Sequence, residues 1–125
     1  MAAREQSFRA IVQLWDESAI VFASRLTYVE THAALAARAR TSIRGRRQLG
    51  RARLEVEERW RDIAVVELDI YVSEVAALVV SQHRLRGADA IHLASAAVLG
   101  SGVTMVSRDT RLRQAALATG LDVAP

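Results

Sequence analysis

Short apolar runs alternate with helical hydrophobic patterns along this chain, and that alternation restricts the possible folds more than any other property of the sequence. The runs are rich in apolar and β-branched residues, which makes them strand candidates: residues 19–23, 63–68, 103–106 and 121–124. Helical patterns separate them, and strands joined by crossover helices pair in parallel. We therefore predict an α/β fold with a parallel sheet and helices on both of its faces.

Apolar side chains at three- and four-residue spacing predict the helices. Ser24 and Asp69 are placed to cap two of them. Residues 24–40 and a charged segment ending near residue 61 are expected to form a helical hairpin, although Gly45 and Gly50 weaken the charged segment. The other predicted helices are residues 5–15, 69–80, 89–100 and 110–119. No strand candidate precedes the first helix, so we expect an opening strand to be missing.

The length and composition are those of an ordinary globular protein. A chain of 125 residues is enough for one hydrophobic core and too short for two, so we expect a single domain over residues 1–125. No run approaches the ~18–20 apolar residues of a membrane span, and the first residues carry no export signal, which favours a cytoplasmic protein with no membrane partner. Because the chain has no cysteine, any metal must be bound by oxygen or imidazole ligands.

The basic residues are all arginines, and many of them cluster. Seven arginines and no acid lie between residues 38 and 54, among them Arg44, Arg46, Arg47 and Arg51. Guanidinium groups bind phosphates bidentately, so the cluster favours nucleic acid or an acidic partner segment over a neutral small molecule. The alternative interpretation is a solvated helix face, and a GC-rich genome would by itself produce arginine in place of lysine.

Three carboxylates lie where a site is expected in an α/β fold. Asp89 opens a helix, Asp109 follows a strand, and Glu30 lies on the helix after the first strand candidate. Ligands bind at the carboxyl edge of a parallel sheet, so these three side chains are predicted to converge there. Each also has a structural alternative, with Asp89 and Asp109 as N-caps and Glu30 in a capping box with Thr27.

Converging carboxylates suit a hard divalent cation. Mg²⁺ or Mn²⁺ takes oxygen ligands, keeps several waters and can activate a water against a phosphodiester. His92, one turn after Asp89, could act as an acid, a base or a hydrogen-bond donor to a ligand, and Ser107 could bind a phosphate or a water beside Asp109. The alternatives are a hydrogen-bonded core histidine and a turn-forming serine. The chain carries no phosphate-loop glycine motif and no zinc signature.

Three segments carry a resemblance to a known family: ASRLTYVE at residues 23–30, LRGADAIHLA at 85–94 and VSRDTRL at 106–112. With these segments in this order and at this spacing, the chain resembles the PIN-domain family, most closely the toxins of VapBC-type toxin–antitoxin pairs. The resemblance implies a three-layer α/β/α sandwich and an endoribonuclease that depends on Mg²⁺ or Mn²⁺. It also implies that Glu30, Asp89 and Asp109 are the acidic metal-site residues. A VapB-type antitoxin and a second copy of the toxin, in a homodimer, are the partners it implies.

The leading hypothesis is therefore a toxin that cleaves cellular RNA, with Arg44, Arg46, Arg47 and Arg51 holding the RNA backbone. The family opens with a strand that ends in an Asp-x-Ser or Asp-x-Thr motif, and this sequence has none at its start. We thus expect a PIN-like domain that is N-terminally truncated relative to the family. The alternative function is a catalytically impaired module that binds an antitoxin or RNA without cleavage. Metal-dependent RNA cleavage discriminates between the two.

Overall fold

The computed structural model describes the backbone of residues 2–124, and within it the side chains of all residues except 2–5, 7 and 8. Phe8, an apolar position of the first predicted helix, thus lies outside the described side chains. In chain order the elements are α1 (Ala2–Glu17), β1 (Val21–Ser24), α2 (Arg25–Thr41), α3 (Ile43–Trp60), β2 (Ile63–Val66), α4 (Ile70–Gln82), α5 (Gly87–Ala97), β3 (Thr104–Val106), α6 (Thr110–Ala118) and β4 (Asp122–Ala124). No helix of the described chain combines the length and apolar character needed to cross a bilayer.

The strands pair in parallel, which confirms the predicted α/β class. β1 lies beside β2, with Val21 opposite Ile63, and β3 lies beside β4. The two pairs are separate two-stranded sheets, because within residues 2–124 no strand of one pair is hydrogen-bonded to a strand of the other. No strand of that range precedes α1 either. The sequence pattern predicts the direction of pairing, whereas continuity of the ladder depends on which strands become neighbours in space.

Local capping explains where most helices begin. The Ser24 hydroxyl accepts a hydrogen bond from the amide of Leu26 at 3.2 Å, and the Asp69 carboxylate accepts one from the amide of Val72 at 2.8 Å. Such bonds satisfy amides that have no partner within the first helical turn. The predicted caps at Ser24 and Asp69 are confirmed, and Ser42 caps α3 in the same way.

The core is built around α5. This helix contacts α4, α6, α2 and β1, and its Leu93 side chain is fully buried. Small residues on α5, including Ala90 and Ala94, let these neighbours approach closely. The remaining core side chains are Val72, Ala76, Val79, Met105, Leu112, Ala115, Ala116 and Leu121. Because α5 is the most enclosed helix, residues at its N-terminal end are held in place by packing.

The predicted hairpin forms from α2 and α3. We expected Gly45 to weaken the second helix, but α3 runs through it without a break. A Cβ atom at Gly45 would lie 2.7 Å from the carbonyl oxygen of Arg38, so only glycine lets the two helices approach this closely. Further along the hairpin, Tyr28 and His32 of α2 both hydrogen-bond Glu57 of α3. The Tyr28 hydroxyl, and then His32, hold the pKa of Glu57 below its usual value.

Candidate active site

Two of the three predicted carboxylates lie in one cleft. The cleft has a volume of about 810 Å³ and lies where the N-terminal ends of α5 and α6 meet. Its size falls in the range of typical ligand sites. The residues that line it are Arg84, Leu85, Arg86, Asp89, Asp109, Thr110 and Arg111. Asp89 and Asp109 come from segments twenty residues apart, so the fold itself brings them together.

Asp89 lies in the first turn of α5 and is half-buried. The alternative that Asp89 is the N-cap is wrong, because the helix begins two residues earlier and Arg86 occupies the cap position. The Arg86 side chain makes no capping hydrogen bond. A carboxylate in the first turn of a helix interacts favourably with the helix dipole. Buried Ala90 anchors the adjacent backbone in the core.

Asp109 combines a structural position with a place in the cleft. One of its oxygens, Oδ1, accepts a hydrogen bond from the amide of Leu112 at 2.9 Å, which confirms that Asp109 caps α6. The Asp109 amide donates to the Ser107 hydroxyl at 3.1 Å. Ser107 therefore shapes the turn that presents Asp109, as its structural alternative predicted. Within the described chain, the second carboxylate oxygen of Asp109 has no hydrogen-bond partner, and Asp109 lines the cleft.

Glu30 lies outside the cleft, at the contact of α2 with α5. Its carboxylate is about half exposed and pairs with the imidazole Nε2 of His92, 62 residues away in the chain. The capping-box alternative for Glu30 is wrong, since α2 begins at Arg25 and Ser24 is its cap. His92 lies three residues after Asp89 on α5, a rise of about 4.5 Å along the helix axis. The pair thus connects Glu30 to the helix that carries Asp89.

The donor set of the cleft suits a hard divalent cation. Across the side chains that the structure describes, no three Asp, Glu or His residues are grouped closely enough to hold a metal ion by themselves. Mg²⁺, however, is usually bound by only one or two carboxylates, with waters and substrate phosphates completing its shell. Asp89 and Asp109, with the hydroxyl of Thr110 in the same cleft, supply such a set of oxygens.

The arginines of the cleft are those that sequence reasoning missed. Arg44, Arg46, Arg47 and Arg51 all lie exposed on α3, and Arg51 pairs weakly with Glu55 at 3.7 Å. The cleft is instead lined by Arg84, Arg86 and Arg111. The clustering of arginines favoured the hairpin as the RNA-binding region. The cleft arginines could have been found from their closeness in the chain to the carboxylates: Arg86 is three residues before Asp89, and Arg111 is two after Asp109.

Comparisons with known proteins give a consistent picture. The family model described as PIN domain matches residues 1–117. The chain is 42% identical over 113 residues to Ribonuclease VapC45 and to Ribonuclease VapC49, from two strains of Mycobacterium tuberculosis. Each match covers 90% of this chain and 78% of the relative. No solved structure gives a significant match.

Proposed function

This chain belongs to the PIN-domain family, and we propose that it is a ribonuclease toxin of a toxin–antitoxin pair, which cuts RNA with the help of a divalent cation. The observation that carries the proposal is the convergence of Asp89 and Asp109 in one cleft. Two relatives that are named ribonucleases, at 42% identity over most of the chain, support the choice of RNA as the substrate.

In this proposal the residues in and beside the cleft have different roles. Asp89 and Asp109 would hold the cation, Mg²⁺ or Mn²⁺, and Asp109 has one carboxylate oxygen that is free of hydrogen bonds within the described chain. A cation bound there would stabilise charge on a phosphodiester and make a water more acidic. Glu30 lies outside the cleft and is linked to it through α5, because its carboxylate pairs with His92, three residues after Asp89. Ala90, buried in the core directly after Asp89, holds this end of α5 in place.

The partners follow from the same family membership. A VapB-type antitoxin is the proposed protein partner, and a second copy of the chain completes a homodimer. Large apolar side chains that remain exposed on α4 support a self-association surface: Ile70 is 79% exposed, Tyr71 63% and Leu78 61%. Exposed apolar groups of this size on one helix are typical of interaction sites. Analytical ultracentrifugation tests this part of the proposal, and a purely monomeric species at micromolar concentration would contradict it.

Removal of metal tests the proposed function. The purified protein is incubated with total cellular RNA in Mg²⁺ or Mn²⁺, in excess EDTA, and in EDTA followed by excess Mg²⁺. We expect cleavage fragments with metal, none in EDTA, and recovery after metal is restored, because the cleft carboxylates lose their cation to the chelator. The same RNA is also tested for binding by gel shift.

Two outcomes would contradict the proposal in different ways. Cleavage that persists in EDTA would remove the cation from the reaction. RNA binding without cleavage in any metal would instead favour the catalytically impaired module, for which the absence of a three-residue metal cluster among the described side chains is the supporting observation.

A further inference from the structure

Three exposed guanidinium groups share the cleft with the two carboxylates. Arg84, Arg86 and Arg111 all line it, and none of them forms an ion pair with any acid of the described chain. Three positive and two negative side chains leave the cleft with one net positive charge. A divalent cation on the carboxylates would raise that charge further. The cleft therefore attracts a polyanion. Its three arginines offer more positive charge than binding of the cation calls for.

Local structure explains why two of these arginines project into the cleft. The segment 83–86 between α4 and α5 lacks helical structure, and Arg86 has extended backbone angles of φ −68° and ψ 157°. Leu85 packs against the core, and its amide donates to the carbonyl of His83 at 2.9 Å. Arg84 and Arg86, on either side of this anchored residue, are exposed and line the cleft together with Asp89.

Arg111 lines the cleft beside the other carboxylate, Asp109. It follows Asp109 by two residues, in the first turn of α6, and its side chain is exposed. The two carboxylates thus each have arginine neighbours, supplied by separate segments of the chain. Guanidinium groups bind phosphate oxygens through paired hydrogen bonds, and a strand of RNA presents successive phosphates on both sides of any one bond.

We propose that Arg84, Arg86 and Arg111 bind the RNA phosphates on either side of the phosphodiester that is cut, an inference that rests on the proposed ribonuclease function. Arg84 and Arg86 hold the strand on the Asp89 side, and Arg111 holds it on the Asp109 side. The exposed arginines of α3 then contribute only to the general positive field. This assigns the main RNA contacts to the cleft and not to the helical hairpin.

The salt dependence of RNA binding tests this assignment. A fluorescently labelled single-stranded RNA is titrated in EDTA, so that no cutting occurs, and the logarithm of the binding constant is followed against that of the salt concentration. Each lost phosphate contact should reduce the slope by about 0.7. We therefore expect the magnitude of this slope to be smaller by about 2 in the triple variant Arg84→Gln/Arg86→Gln/Arg111→Gln than in the wild type.

A matched triple variant, Arg44→Gln/Arg46→Gln/Arg47→Gln, removes the same charge from α3. We expect it to change the slope by less than half as much. Equal changes in the two variants, or a larger change in the α3 variant, would overturn the proposal. All six arginines are exposed and unpaired within the described chain, so both variants should fold, and matching midpoints of thermal unfolding check this.

The binding assay separates this inference from the proposed function. If the cleft variant shows the expected loss of slope relative to the wild type, but the wild type never cleaves RNA, the nuclease is refuted and the cleft remains an RNA-binding site. Wild-type protein that cleaves RNA while the cleft variant keeps its full slope would refute the phosphate contacts alone.

Discussion

Replacing Asp89 with asparagine lowers the rate of RNA cleavage at least about 100-fold on this account, and the protein stays folded. Asparagine keeps the size of the side chain and removes its charge. With Asp109 as the one remaining carboxylate of the cleft, a divalent cation would be held weakly and would stabilise the phosphodiester poorly. The measurement is the initial rate of cleavage at one fixed Mg²⁺ concentration, just sufficient for the wild type, with circular dichroism to establish folding.

Asp62→Asn is a suitable control for that experiment. Asp62 is exposed in the turn between α3 and β2, and it makes no side-chain hydrogen bond to another described residue. The same change of charge there should leave the cleavage rate within about twofold of the wild type, since exposed charges at a distance are strongly screened. A wild-type rate for Asp89→Asn would remove Asp89 from the reaction.

Replacing Leu93 with alanine should lower the free energy of unfolding by about 2–5 kcal/mol. Leu93 is the largest fully buried side chain among the described residues, and it lies on α5, the helix that contacts α4, α6, α2 and β1. Its truncation removes apolar burial and leaves a cavity that the surrounding helices can fill only in part. Urea unfolding followed by circular dichroism measures the change.

Leu117→Ala serves as the comparison for this core substitution. Leu117 lies on α6 and is 60% exposed, so its truncation should change the free energy of unfolding by less than about 0.5 kcal/mol. If both leucine variants were equally stable, α5 would not be the centre of the core. The placement of Asp89 by packing would then lose its basis.

The sequence predicts the local features of this fold well, because they depend on residues close together in the chain. Ser24, Asp69 and Asp109 each precede an apolar helical pattern, and each caps a helix. Of the three carboxylates predicted to converge, Asp89 and Asp109 line one cleft and Glu30 does not. Asp89 follows helix α4 and not a strand, so the rule for sheet edges does not account for its position.

Features that depend on approach in space were not predictable. Glu30 and His92 are far apart in the chain, and only the contact of α2 with α5 makes them partners. Gly45 reads as a weak point in a helix until the crossing with Arg38 shows that a larger residue would not fit. The division of the strands into two pairs likewise depends on spatial neighbours, which a short apolar run does not specify.

Direct titration with Mn²⁺ tests whether Asp89 and Asp109 hold a cation in the cleft. Asp109→Asn is compared with Asp69→Asn, because both aspartates cap a helix and asparagine caps equally well, but only Asp109 lines the cleft. We expect calorimetry to show Mn²⁺ binding to the wild type and to Asp69→Asn with the same affinity, and at least about tenfold weaker binding to Asp109→Asn. Equal affinity in all three proteins, or no binding to the wild type, would show that these carboxylates do not form a cation site.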